Sequence, residues 1–543
     1  MNNLVIVRDG TIGGDIEGGR TEAATKNASG NTVLILGGTI GANIVGGHID
    51  NTGVSITGVA NNNTVILAGD PTISGPGIYG GLLTGSATPN LITGNKLIFA
   101  AYSGTGTTAA NPLGTIANFE TYEFYLAKNV KDKDVVIYAN TLNLGSGTNA
   151  AKVLVFHTPG GDAADLKVGE SITLIKATTA VTGSVDPANS TIQGNQGGLL
   201  NYTLLASVVN TPGDLGLKLT VTGSSLDERS KVLSEAFYGS VGLLVESFDF
   251  AVSEAISGPN AELRVARALG TDTPTNVFGS ISYGKVRHKT GSHVDVSGLS
   301  GIIGITHMVK KDSFNLTLGA FVEGGNGDYD TYNSFPLSGE FNGTGDINYG
   351  GIGFAARLDF AGGPRGNFHL ELAGRFGSVK NTFKSVSING MPVGFETKGN
   401  YYGFHAGAGY LFNFNDSYLL DVYGKYFWTR QEGDRVNLES GDVVDFDDVN
   451  SHRFRAGLRL TLNSSEKIKP YIGAAYEHEV DGKVSASAYG FKIAEPDSSG
   501  GSFVGEVGIA LVPTENISLN LGVQGYAGKR QGVTGSLLFV VRF

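Results

Sequence analysis

The sequence predicts an all-β chain: an N-terminal right-handed parallel β-helix (solenoid), a linker α-helix, and a C-terminal 12-stranded antiparallel transmembrane β-barrel. Three observations lead there. The first half repeats short β-rich runs at a fixed spacing. The second half alternates apolar and polar residues in segments of barrel length. Glycine is abundant, 82 of 543 residues, and charged residues make up only 16%, against about 25% in soluble proteins.

Composition narrows the function classes. No window offers about 18 continuous apolar residues, so a membrane protein of this sequence crosses by strands. There is no cysteine, which excludes disulfides, thiolate metal sites and cysteine nucleophiles. A net charge of -11 argues against nucleic acid as partner. The opening MNNLVIVRDG has neither a basic n-region nor a long apolar h-region. An exported chain needs a signal peptide, so this sequence reads as a fragment.

The solenoid comes first. Asn31–Gly38 (NTVLILGG) recurs as Asn63–Asp70 (NTVILAGD) and, degraded, as Asn95–Ala100 (NKLIFA), 32 residues apart each time. Asn2–Val7 reads as an earlier copy, and Ile12–Gly19 returns as Ile40–Gly47. Such units bury their apolar side only by stacking on each other. The asparagines that lead each run are expected to form turns rather than a side-chain ladder. From Thr115 to Val221 the repeat fades into longer strands at Asp134–Ala139, Lys152–His157, Ser171–Lys176 and Leu215–Thr222, the pattern of a solenoid cap. His48 and His157 lack partners at metal-site spacing, and Asp15, Asp50 and Asp70 sit beside turn glycines. No catalytic residue, cofactor or metal ligand is predicted.

Next is the helix. Ser225–Ala236 contains no glycine and opens with Ser225 three residues before Glu228, the spacing of a capping box. The helical pattern runs to about Ile256, where Ser257-Gly258-Pro259 stops it. A helix between a solenoid and a barrel is expected to thread the lumen, with Glu235, Glu246 and Asp249 facing basic lumen residues. The boundaries that follow are 1–133 for the solenoid repeats, 134–224 for the cap, 225–270 for the lumen helix and 271–543 for the barrel.

The barrel segments carry polar residues on one face only. Phe314–Glu323, Phe368–Phe376 and Arg453–Leu460 are the clearest, placing Glu371, Arg375, Arg453, Arg455 and Arg459 toward a lumen. Connections alternate long and short. The long ones are His288–Val294, Gly325–Gly345, Lys380–Gly399, Gln431–Asn450, Glu479–Gly501 and Lys529–Gly532. The short ones are Lys310–Ser313, Ala361–Asn367, Phe414–Ser417, Asn463–Lys469 and Pro513–Asn516. Six and five connections join twelve strands with both ends on the short-turn side. Val484–Ile493 then belongs to an outer-loop hairpin. Tyr349, Tyr402, Tyr410, Tyr418, Tyr426, Tyr471 and Trp428 are expected in aromatic girdles. Asp442, Asp445, Asp447 and Asp448 read as a solvated outer loop. In the last strand Val533, Gly535, Leu537, Phe539, Val541 and Phe543 share an apolar face, while Leu538 and Val540 break the polar pattern of the other.

Several blocks resemble the translocator barrel of the type Va autotransporters: Thr290–Val296, Gly343–Gly351, Asp421–Gly433, Val444–Arg455, Pro470–Glu479 and Leu521–Phe543. The resemblance covers roughly Ser225 to the end. It implies a twelve-stranded outer-membrane barrel, a lumen helix, and a C-terminal Phe543 read by the outer-membrane assembly machinery, together with Val541 and Phe539. It also implies a passenger displayed at the surface of a Gram-negative cell, often a β-helix with a folding-promoting cap, which 134–221 resembles more loosely. Val541 departs from the aromatic often found two residues before the final Phe. Some members cut themselves between adjacent asparagines in the lumen helix. No asparagine lies between Ser225 and Gly258, so the passenger is expected to stay attached. The expected function is secretion and display of an adhesin-like passenger. The expected partners are outer-membrane lipid, the barrel assembly machinery and a host or cell-surface ligand, the barrel itself being monomeric. The alternative is a secreted serine protease or esterase whose catalytic part lies upstream of Met1.

Overall fold

A computed structural model of the chain describes residues 2–53, 55–85, 87–126, 130–157, 161–257, 275–360, 366–414, 417–462, 465, 467–514 and 516–543. The chain forms two units, Met1–Asp227 and Glu228–Phe543.

The first unit stacks its repeats into three parallel sheets. One holds Leu4–Val7, Thr32–Ile35, Thr64–Gly69, Lys96–Tyr102, Thr121–Leu126 and Lys152–His157, in that order. The 32-residue repeat becomes register: Val33 pairs with Val65, and Val65 with Leu97. Val33, Ile35, Val65, Leu67 and Leu97 point inward and are fully buried. The Phe99 and Phe124 rings stack at 5.3 Å. A second sheet runs in parallel from Ile16–Glu17 to Ser171–Thr182. There it turns antiparallel through Asp214–Leu226, Leu200–Thr211 and Thr191–Gln196. A small third sheet pairs Thr11–Ile12, Thr39–Ile40 and Thr72–Ile73. Parallel stacking thus continues past Thr115, where the sequence repeat fades, and past the expected boundary at 133.

The asparagines form a ladder, not turns. Asn31 donates its side-chain amide to Asn63 Oδ1 at 3.0 Å, and the Asn63 backbone N–H donates to Asn95 Oδ1 at 2.8 Å. The Asn63 and Asn95 amides also donate to the Ala28 and Ala60 carbonyls at 3.1 and 3.0 Å. The reason is burial: these corners lie inside the stack, where backbone groups without water need protein partners. The Gly-Gly pairs complete the device. A Cβ on Gly46 or Gly47 would come within 2.7 Å of Asn63 side-chain atoms, and one on Gly47 within 1.9 Å of the Ala28 carbonyl oxygen. Gly18-Gly19 face Asn31 and Gly80 faces Asn95 in the same way. The two repeated motifs are therefore one packing unit.

The second unit is a closed antiparallel barrel of twelve strands. They are β1 Thr275–Lys289, β2 His293–Lys310, β3 Phe314–Phe335, β4 Gly339–Phe360, β5 Gly366–Phe383, β6 Phe395–Phe414, β7 Tyr418–Gln431, β8 Val449–Leu462, β9 Ile468–Glu479, β10 Gly500–Thr514, β11 Ile517–Gly528 and β12 Arg530–Arg542. β12 closes on β1 from Asn276–Arg542 to His288–Arg530. Ile281, Ile303, Leu372, Phe454, Ile472 and Phe503 project outward and are exposed, as a lipid-facing band requires.

Three loop expectations change. Gly325–Gly345 is mostly ladder, because β3 and β4 pair as far as Phe335–Gly339. Its polar residues read as loop because the two 22-residue strands outrun the roughly ten residues that cross the membrane. Lys529–Gly532 shrinks to a turn at Lys529. The Val484–Ile493 hairpin forms as expected (Ala486–Ala488 with Phe491–Lys492) and joins Asp434–Asn437 and Val443–Phe446 in a four-stranded sheet outside the barrel, which changes the reading of the acidic loop. Asp442 is buried in that outer structure rather than solvated, accepting from Ser440 at 2.5 Å and from the Tyr489 hydroxyl. Asp445 and Asp448 pair with Arg435 and Arg430.

The helix α1, Lys231–Val252, follows a short 3-10 turn at Glu228–Ser230 and continues as a π turn over Ser253–Ser257. Ser225 lies in the preceding strand, so no capping box forms. Glu228 instead accepts from the backbone of Leu337 and Ser338 at 3.2 and 2.8 Å. The predicted stop at Gly258-Pro259 and the rest of the linker to residue 270 lie outside the described residues.

Asn63→Ala should cost the first unit about 1–3 kcal/mol, because Asn31 loses the acceptor for two of its donors. The urea midpoint for protease protection of residues 2–226 in the full chain measures this. An unchanged midpoint would mean that the ladder carries no stability.

Candidate functional site: the plugged barrel lumen

A strand buries every second side chain, so each barrel strand offers one row to the lumen. α1 fills the space between these rows, and every residue from Val232 to Val252 is buried. It has apolar residues all round, with carboxylates set among them. The barrel meets each part with a different layer.

At the looped end, Lys231 donates to Ser292 Oγ at 2.8 Å and pairs with Glu235 at 3.4 Å. Glu235 also accepts from Thr290 at 3.0 Å, from Asn333 at 2.5 Å and from Ser292. Its cation is therefore on its own helix, not on the barrel wall. Phe237 stacks on Phe446 of the outer sheet at 4.7 Å. One turn lower, glycine lets the wall approach. A Cβ on Gly239 would lie 2.6 Å from the Tyr329 ring, and one on Gly242 3.1 Å from Val296. His288 bridges Tyr238 at 3.1 Å and Glu246 at 3.0 Å.

The next layer is ionic. Asp249 accepts from Arg453 at 2.7 Å, Arg455 at 2.6 Å and Arg530 at 2.9 Å. Glu477 on β9 takes the same three guanidiniums at 3.2, 2.5 and 2.7 Å. Phe427 lies 4.9 and 5.2 Å from Arg453 and Arg455, and Tyr526 lies 4.3 Å from Arg530. Three cations on β8 and β12 thus hold one carboxylate from the helix and one from the wall. Beside them, Arg375 donates to Ser247 at 2.9 Å and to the Leu244 carbonyl, and pairs with Glu323 at 3.2 Å. Below, Phe250, Ala251, Val252, Ala255 and Ile256 enter an apolar collar with Phe278, Ile302, Leu538 and Val540. That contact explains why Leu538 and Val540 break the polar row of β12.

The other expected lumen residues serve the wall. Glu371 binds Arg357 at 2.7 Å and Lys425 at 3.1 Å. Arg459 pairs with Glu506 at 2.6 Å. Tyr349 and Tyr471 leave the predicted girdle: Tyr349 is buried beside Tyr401, and Tyr471 lies 4.8 Å from Arg459. Their positions share the inward parity of Arg357 and Glu477, a period-two signal that outranks the bare fact of being aromatic. The same parity locates the two ion-network members that sequence reading missed. Arg530 sits in line with Thr534, Ser536 and Arg542, and Glu477 in line with Tyr471. Two polar cavities of about 40 Å³ each remain beside Asp249, room for very few waters. Among the described residues no group of three His, Asp or Glu side chains is placed to hold a metal.

Residues 275–524 match the family model for the autotransporter β-domain. The C-terminal unit is an autotransporter translocator barrel. Similar solved structures include the β-domain of the Bordetella autotransporter BrkA, 14% identical with a TM-score of 0.40, covering 50% of this chain and all of that one. The translocator domain of NalP from Neisseria meningitidis is 15% identical with a TM-score of 0.39, covering 54% of this chain and 100% of its own. The transport unit of AIDA-I from Escherichia coli is 18% identical with a TM-score of 0.38, covering 50% and 89%. No curated protein matches in sequence. The autotransporter barrel resides in the outer membrane of a Gram-negative cell and serves secretion of the passenger to its surface.

In this translocator Asp249→Ala leaves three buried arginines facing Glu477 alone, a loss of about 3–5 kcal/mol by analogy with broken buried pairs. Planar-bilayer recordings should show frequent openings in this variant and few in the parent. Glu235→Gln should stay closed, since hydroxyl and amide donors surround that position. Equal conductance in Asp249→Ala and the parent would refute the tether.

Proposed function

We propose that the autotransporter keeps its passenger covalently attached at the cell surface, where the solenoid acts as an adhesin. The observation that carries this reading is the anchoring of α1. The segment joining passenger to barrel is held by Asp249 on three arginines and by an apolar collar. A retained solenoid then offers repeated flat faces, suited to binding over many weak contacts. Its side chains work by presentation rather than by catalysis. Cells displaying the full chain should adhere to epithelial cells or to one another, and surface shaving should release no passenger ending within 225–270 without added protease. Non-adherent cells with normal display would sink the adhesin role, and a spontaneous break in that segment would sink retention.

Phe543, Val541 and Phe539 form the proposed assembly signal. Phe539 and Val541 share the outward row of β12 and Phe543 follows it at the same parity, with Phe543 68% and Phe539 43% exposed. The Phe543 backbone N–H donates to the Thr275 carbonyl at 3.1 Å. Phe543→Ser removes no lumen contact, so refolding in detergent should be unchanged. The amount of heat-modifiable barrel in outer-membrane fractions should nevertheless drop severalfold. Wild-type levels would refute the signal role.

A further inference from the structure

One site on the passenger goes beyond presentation. In its second sheet, the Gly-Gly pairs of three successive coils are preceded by Glu17, Val45 and Tyr79 and followed by Arg20, His48 and Leu82. A ladder that only braces the stack repeats its residue at each coil, as the asparagines do. These positions do not repeat. They bring Glu17 from one neighbouring coil and Thr84 from the other onto the two ring nitrogens of His48. Nδ1 lies 2.5 Å from Glu17 Oε1, and Nε2 lies 2.8 Å from Thr84 Oγ1. The partners are 31 and 36 residues from His48 in sequence, so no short motif links them.

Glu17 assigns the protons of the neutral ring. A carboxylate only accepts, so Nδ1 carries the hydrogen and donates it to Glu17. Nε2 is then the acceptor, and the Thr84 hydroxyl donates to it. Hydroxyl, imidazole and carboxylate in series are the arrangement that activates an oxygen nucleophile. Exposure is divided to match. His48 is buried and held by the stack, whereas Thr84 lies open at the surface. Gly85, next in the chain, is also exposed, and among the described residues its N–H has no acceptor. The residue after the nucleophile is a common source of the donor that stabilises an oxyanion.

We infer that Thr84, His48 and Glu17 form a hydrolytic site for neutral O-acyl esters. The Thr84 oxygen attacks the ester carbonyl carbon as its proton passes to His48 Nε2. The bond from that carbon to the alcohol oxygen breaks, and the alcohol leaves with the proton. Water then attacks the Thr84 ester by the same route, releasing the acid and restoring the hydroxyl. The surroundings select the substrate by charge. Arg20 pairs with Asp50 and lies 3.7 Å from Glu22 and 3.8 Å from Glu17. Three carboxylates around one guanidinium leave this side negative, which disfavours anionic acyl groups. The open position of Thr84 suits a small acyl group carried on a long polymer that lies across the coils. The adhesin reading stands whether or not the site turns over.

The full-length chain in phosphatidylcholine nanodiscs should hydrolyse p-nitrophenyl acetate and take up a biotinylated fluorophosphonate on the peptide that carries Thr84. Thr84→Ser should keep both, since it keeps the hydroxyl. Thr84→Ala, which changes only an exposed side chain, and His48→Ala should lower kcat/KM by about a hundredfold or more. Glu17 is a positioning residue. Glu17→Gln should lower kcat by about tenfold or more with KM unchanged, because its amide can also hold the other tautomer, and Glu17→Asp should recover part of the rate. An equal rate in Thr84→Ala and the parent, or fluorophosphonate found only on other residues, would overturn the site. Faster turnover of p-nitrophenyl hemisuccinate than of the acetate would overturn the neutral substrate class.

Discussion

Everything in the C-terminal unit follows from one constraint: in hydrocarbon, no backbone amide can go unpaired. A sheet meets it only by closing on itself, and the β1–β12 seam from Asn276–Arg542 to His288–Arg530 is that closure. Closure sorts each strand into a lipid row and a lumen row, with no third option. The lipid row accepts any apolar residue. The lumen row of twelve strands surrounds a space that wall side chains alone do not fill, and α1 occupies it.

Filling the lumen creates a second problem, because α1 is largely apolar and the lumen is largely polar. The solution is axial layering. Hydroxyls and amides meet Glu235, glycine faces let the wall close in at Gly239 and Gly242, arginines meet Asp249, and aliphatics meet Phe250 to Ile256. Burying charge is costly. The Asp249–Glu477–arginine cluster is compensated only because two carboxylates are shared among three guanidiniums at hydrogen-bond distance. Such a cluster adds little to stability compared with an apolar core. It does penalise a wrong rotation or shift of the helix, since a displaced Asp249 leaves buried charges unmatched. The ion network therefore fixes the helix in register, while the collar adds apolar burial at its C-terminal end.

The alternation of the strands was legible in the sequence because lipid imposes it at every second residue over the whole span. Arg375, Arg453 and Arg455 could be read as lumen residues for that reason. Arg530 was hidden by Gly532 and by a turn reduced to one residue, which made the start of β12 look like loop. Tyr349 and Tyr471 were misplaced because residue type was allowed to outweigh parity. The upper parts of β3 and β4 carry water on both sides, so polarity there says nothing about pairing. In the passenger, the repeat at Asn31, Asn63 and Asn95 was visible, but its meaning was not. Only the opposing Gly-Gly pairs, about half a coil earlier in the chain, show that the amides are buried in a stack.

The two units apply one strand code in different surroundings. In the barrel, an outward apolar residue faces lipid, and its exposure is satisfied. In the solenoid, Ile6, Leu34, Ile66 and Ile98 follow the same outward rule with no lipid built into the fold to receive them. Another outward row of the same sheet is mostly polar: Thr32, Thr64, Lys96, Thr121 and Lys152 run beside the aliphatic one, with Leu4 at the end of the polar row. The sheet can thus carry a polar outer row and does so two residues away. The aliphatic row is therefore not a by-product of strand formation.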